Sequence, residues 1–196
     1  FDGWRDRLAH RGPDQAASLS DRGLFLGFRR LAILDLSPAG HQPMSTPDGR
    51  FTIVFNGQIY NFEELRADLE GKGVRFRSRS DTEVLLELFA RDGVDCLPRL
   101  NGMFAFAIYD ARERTLVLVR DRLGVKPLFY FRSGRALAFA SELGAIRDVP
   151  GFPRELDPIA LGAYFRVGAV PDWTCVYPGV RKLPPGHWIR FRLDAP

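Results

Sequence analysis

A chain of 196 residues with 45% hydrophobic and 12% aromatic residues can bury one large core, which excludes disorder and favours a single domain. Its formal charge of +4 comes from 28 Lys plus Arg against 24 Asp plus Glu, dispersed without a run of five, so neither a basic stripe nor a motif marks a nucleic-acid binder. Cys96 and Cys175 are too few for a disulfide framework, no apolar run is long enough to span a bilayer and no signal peptide is visible, so a cytoplasmic protein without membrane contact is expected.

In chain order, residues 1–9 read as the tail of a helix, with Trp4 and Leu8 one turn apart, broken by His10-Arg11-Gly12-Pro13-Asp14. Residues 23–28 and 31–36 read as strands flanking Arg29-Arg30, and residues 37–49, with Pro38, Pro43 and Pro47, as a long connection. The stretch 51–61 is the most informative. Five apolar or β-branched residues run into Asn56-Gly57, a pair that by itself signals a hairpin turn. The far side argues otherwise, because Gln58-Ile59-Tyr60-Asn61 leads into a helical pattern over 62–72, with Asn61 placed as its N-cap. On that alternative, a strand delivers an Asn side chain and a Gly N–H to a helix start, an arrangement suited to a developing oxyanion.

Residues 74–78 read as a short strand, and Ser80-Asp81-Thr82-Glu83 as a capping box opening a helix that Gly93 closes. Strands are expected at 104–109, 115–120, 128–131 and 136–140, then a short helix at 141–147. Asp157 and Pro158 suit the N-cap and first position of another helix, and 188–193 alternates as a final strand. Roughly eight strands and four or five helices in segregated blocks predict an α+β fold of two antiparallel sheets with helices outside.

Seven motifs now stand together: His10-Arg11-Gly12-Pro13-Asp14, Arg30-Leu31-Ala32-Ile33-Leu34-Asp35, Asn56-Gly57-Gln58-Ile59-Tyr60-Asn61, Ser80-Asp81-Thr82-Glu83, Gly102-Met103-Phe104-Ala105-Phe106-Ala107, Arg120-Asp121-Arg122-Leu123-Gly124 and Lys182-Leu183-Pro184-Pro185-Gly186-His187. In this order they resemble the N-terminal glutaminase domain of glutamine-dependent asparagine synthetases, a class II glutamine amidotransferase, over nearly all of residues 1–196. The resemblance implies an N-terminal-nucleophile αββα sandwich that hydrolyses glutamine to glutamate and ammonia. It implies that Arg30 holds the glutamine α-carboxylate and Asp81 its α-amino group. Asn56 and the Gly57 N–H would form the oxyanion hole, with Leu31, Ala32, Ile33, Leu34 and Gln58 lining the pocket. Many relatives carry Glu where this chain has Gln58, which removes one charge near the substrate ammonium.

Each role has a plainer counterpart. A lone Arg between strands is usually a solvated edge residue, although a guanidinium suits bidentate grip of a carboxylate. Asp81 could simply support a helix start. His10, His41 and His187 read as structural and too scattered for a metal site. The family's nucleophile, a mature N-terminal cysteine whose own α-amino group is the base, has no counterpart here, since Cys96 and Cys175 lie elsewhere. A chain lacking its first strand, a non-catalytic relative of the β-lactam synthetase kind, and a domain that binds glutamine or contacts a partner without hydrolysing glutamine are the three explanations. The synthetase loop Ser-Gly-Gly-x-Asp-Ser is also missing, so ATP and Mg are expected in a separate C-terminal synthetase domain and no cofactor in this one. Glutamine and that domain are the expected partners, with a homodimer as a further possibility.

Overall fold

The computed structural model describes residues 1–134 and 136–193. Its ten described strands are β1 (Gln15–Asp21), β2 (Leu24–Arg30), β3 (Met44–Ser45), β4 (Phe51–Ile59), β5 (Gly102–Asp110), β6 (Thr115–Arg120), β7 (Phe129–Ser133), β8 (Ala136–Ala140), β9 (Val180–Lys182) and β10 (Trp188–Arg192). The α-helices are α1 (Asp2–Asp6), α2 (Phe62–Gly71), α3 (Asp81–Asp92), α4 (Leu143–Ile146) and α5 (Pro158–Val167). A central antiparallel sheet runs β10-β6-β5-β4-β3; β8-β7-β9 and β1-β2 form two smaller sheets.

Three apolar layers separate four layers of structure. Ile53, Phe55, Phe106 and Val119 on one face of the central sheet pack with Leu65, Leu69, Leu85 and Leu88 of α2 and α3. Val54, Ala105, Ala107 and Leu118 on the opposite face meet Leu26, Leu128 and Leu183. Phe131, Ala140 and Val180 then meet Ala145, Ile146 and Phe152, with Trp4 and Leu8 at the margin. The period-two alternation of the strands makes this possible, because odd and even residues of β4 supply different layers. The α+β sandwich expected from the sequence is present, with one difference: the second sheet layer is divided, and no described strand joins β2 to β8.

Several local expectations need correction. Residues 31–36 form no strand: the Ala32 N–H goes to the Asp14 carboxylate at 2.8 Å and the Ser37 N–H to Asp35 at 3.0 Å. Residues 74–78 form none either, because the Arg77 and Ser78 N–H groups donate to Glu83 at 2.9 and 2.7 Å. Glu83 therefore does not close a capping box with Ser80, whose own N–H goes to Ser78 Oγ at 3.2 Å. Ser80 does cap α3, accepting from the Thr82 N–H at 3.1 Å. Asn61 occupies the N-cap position of α2 but makes no cap bond, since its amide bridges the Arg99 carbonyl and the Asn101 N–H. At Asn56-Gly57 the chain does not turn at all; β4 continues through both residues to Ile59 in register with β5.

Candidate functional site

β4 aims the site. Val54 faces the space between the sheet layers while Ile53, Phe55 and Ile59 face the helices, so alternation puts Asn56 and Gln58 on Val54's side. Gly57 lies on the other register, directly against β5. A Cβ there would overlap the Met103 carbonyl oxygen and sit 2.7 Å from Phe104 Cα, so the glycine serves close strand approach. Asn56 Nδ2 donates to Ser141 Oγ at 3.3 Å, across the layer gap from the residue that follows β8.

Two further elements close on the same space. Arg30 ends β2 almost fully buried, with Nη1 donating to the Ser37 carbonyl at 3.4 Å and Nη2 to that of Asp35. The Asp35 carboxylate in turn takes the Arg79 N–H at 2.7 Å. Its hydrogen bonds from the Ser37 hydroxyl and the Arg79 N–H hold it below the usual carboxylate range. Arg79 stands two residues before Asp81, so Asp35 ties the cation to the start of α3. Asp81 is 5% exposed and accepts the Ile59 N–H at 3.0 Å. Burial pushes its carboxyl up, against the pull of the Ile59 and Thr82 N–H groups.

Arg30, Leu31, Ile33, Leu34, Asn56, Gly57, Gln58 and Asp81 all line one cavity of about 1090 Å³. This is slightly above the roughly 300–1,000 Å³ usual for small-molecule sites. Ala32 is not among its lining residues, its N–H being held by Asp14. Sequence reasoning missed Gly40, Gln42 and Ser141, which line the cavity from distant segments. One buried cation, one buried carboxylate and a carboxamide thus converge, a set that can grip both charges of an α-amino acid and still offer an N–H to a third polar group.

Neither cysteine lines this cavity. Cys96 is buried in the layer between the central sheet and its helices, where burial pushes its thiol up to about 12. Cys175 is buried in the layer beside α4. His10 pairs with Glu142 at 3.0 Å and His187 with the Pro185 carbonyl at 2.8 Å, both away from any acidic or thiol cluster. Among the described residues no three His, Cys, Asp or Glu are placed to hold a metal ion. Among them, too, no helix is long and apolar enough to cross a membrane.

A profile described as the glutamine amidotransferase domain matches residues 2–195. The chain belongs to the glutamine amidotransferase domain family. This amidotransferase domain is 38% identical over 198 residues to asparagine synthetase [glutamine-hydrolyzing] 3 of Bacillus subtilis (strain 168), covering 100% of the chain and 32% of that protein. It spans about a third of the length of the curated relatives it matches. Among solved structures it is similar to the glutamine phosphoribosylpyrophosphate amidotransferase of B. subtilis complexed with ADP and GMP, with a TM-score of 0.53 and 29% identity, covering 61% of this chain and 28% of that one. A structure of the allosteric regulatory enzyme of purine biosynthesis gives a TM-score of 0.58 at 26% identity, covering 85% and 32%. The amidotransferase domain therefore has the N-terminal-nucleophile type of sandwich expected from its motifs.

Proposed function

We propose that this domain binds L-glutamine and, within a longer synthetase-like protein, releases its amide nitrogen as ammonia. The convergence of Arg30, Asp81 and Asn56 on one cavity carries this reading. Arg30 takes the α-carboxylate and Asp81 the α-ammonium, at a spacing set by the Asp35 bridge. Asn56 and the Gly57 N–H stabilise the oxyanion that forms as the side-chain amide is attacked, with Gln58 and the residues 31–34 completing the wall. ATP, magnesium and the amidation of aspartate belong, on this reading, to a further domain, and the protein works in the cytosol. A second reading, glutamine bound but not hydrolysed, shares this binding geometry and differs only in the chemistry that follows binding.

Calorimetric titration with L-glutamine, using D-glutamine and L-asparagine as controls, tests the shared part. Arg30→Ala and Asp81→Ala should each weaken L-glutamine binding at least about tenfold. Indifference of the protein to L-glutamine sinks both readings. Ammonia release by the full-length native protein then separates them.

A further inference from the structure

A carboxamide that is to stabilise an oxyanion must be held in one plane, and an Asn side chain has two free torsions with which to leave it. Among the described residues, the hydrogen-bond partner of the Asn56 amide is Ser141, at 3.3 Å. Ser141 is itself fixed from both sides. β8 ends immediately before it, with Ala140 paired to Phe129. Glu142 follows it, and its carboxylate takes Arg11 Nη1 at 2.9 Å and His10 Nε2 at 3.0 Å. The His10–Arg11 segment is anchored in turn on β2. Arg29 Nε donates to the Gly12 carbonyl at 3.0 Å, and a Cβ on Gly12 would lie 2.6 Å from the Arg30 backbone nitrogen.

Ser141 and Glu142 therefore form a strut between Asn56 and the strand that carries Arg30. The carboxamide has two N–H bonds. With one taken by the Ser141 hydroxyl, the other is left for a ligand in the cavity that both residues line. We propose that Ser141 is a positioning residue, which holds the Asn56 carboxamide in the orientation that serves the oxyanion. This rests on the glutamine reading only for its kinetic consequence; the orientation itself is a property of the protein without ligand.

The test has two arms on the full-length protein. Crystal structures of the wild type, Ser141→Ala and Ser141→Thr should show the Asn56 carboxamide in one position in the wild type and the Thr variant, and rotated or spread over several in the Ala variant. An unmoved, equally ordered Asn56 in Ser141→Ala overturns the proposal, whether or not glutamine is hydrolysed. In the second arm, Ser141→Ala should lower glutaminase kcat roughly tenfold, less than loss of an oxyanion donor outright. KM should stay within about twofold, because Arg30 and Asp81 are untouched, and Ser141→Thr should restore kcat. An unchanged kcat in an active enzyme, or a KM that rises together with a lowered melting temperature, also overturns it. A wild type that turns over no glutamine removes hydrolysis from the proposed function, and leaves the first arm to decide the role of Ser141.

Discussion

The side-chain amide of Gln42 stands where a neighbouring strand would stand beside Phe55. Its Oε1 accepts the Phe55 N–H at 2.6 Å and its Nε2 donates to the Phe55 carbonyl at 3.3 Å. β3 pairs Met44 with Ile53, so position 42 falls opposite Phe55 and the side chain continues the ladder. Replacement by Leu keeps much of the volume and strands two buried backbone groups next to Asn56. Urea denaturation should show a loss of about 2–6 kcal/mol, from two unsatisfied buried polar groups at roughly 1–3 kcal/mol each. A loss well under 1 kcal/mol would mean that the backbone finds other partners.

Asp81 should trade stability for binding. Its folded pKa is raised chiefly by burial, so the folded state binds that proton more tightly than the unfolded chain does. The contribution to stability is fully present below the unfolded pKa and is lost as pH rises through the folded one. At neutral pH the ionised carboxylate is a cost, and Asp81→Asn should raise the melting temperature while weakening L-glutamine binding at least about tenfold. Calorimetry of the same pair of proteins reads both effects.

The same linkage predicts an acid limb for binding. An α-ammonium beside Asp81 favours the ionised carboxylate, so protonation competes with the ligand. L-Glutamine affinity should fall as pH drops through the raised pKa of Asp81, and this limb should be absent in Asp81→Asn. Titrations between pH 4 and about 7.5 would reveal it, in the range where carboxylates titrate.

Two glycines should fail in different ways. In Gly57→Ala the new methyl meets the Met103 carbonyl and Phe104 Cα, both backbone atoms in the middle of the β4–β5 pairing. That substitution should cost about 3 kcal/mol or more, the range of severe overpacking, and yield little folded protein. In Gly40→Ala the methyl overlaps Arg30 Nη2 and lies 2.8 Å from the Asp35 carbonyl oxygen. A side-chain end can yield where a strand cannot. Glutamine binding should therefore drop at least about tenfold, as for a lost guanidinium–carboxylate pair, with a smaller fall in melting temperature.

What could be read from residue order was the part governed by local pattern. The apolar runs of β5 and β6, the Ser80 cap of α3 and the Asp157 cap of α5 stand where expected. β1 escaped notice because Gln-Ala-Ala-Ser-Leu-Ser-Asp lacks the branched and aromatic residues that mark strands. Its signal was the Arg22-Gly23 turn, with φ of 39° and 85°, a two-residue hairpin link to β2. The run 31–36 misled in the opposite sense: it looks like a buried strand, yet Ile33 is 71% exposed. At Asn56-Gly57 the local pattern suggested a turn, whereas the glycine is required by Met103 and Phe104, 46 and 47 positions away. Gln42 and Ser141 carry no local signature, and only the tertiary pairing with Phe55 and Asn56 gives them meaning.

The two-stranded β1–β2 sheet carries Arg30 at its end and shares no backbone ladder with any other described strand. Its ties to the central sheet include the Tyr109 hydroxyl donating to Asp21 at 2.6 Å and Arg114 Nη2 donating to the Arg22 carbonyl at 2.9 Å. A lone ribbon of this kind is marginal by itself, so it can open as a unit while β4, β5 and β6 stay closed. Amide protons of residues 15–30 should then exchange with solvent far faster than those of residues 104–119. Saturating L-glutamine, bridging Arg30 to Asp81 and Asn56, should slow the ribbon selectively. The ligand would act as the missing fastening between two parts of the sandwich, and its affinity would include the work of keeping that ribbon shut.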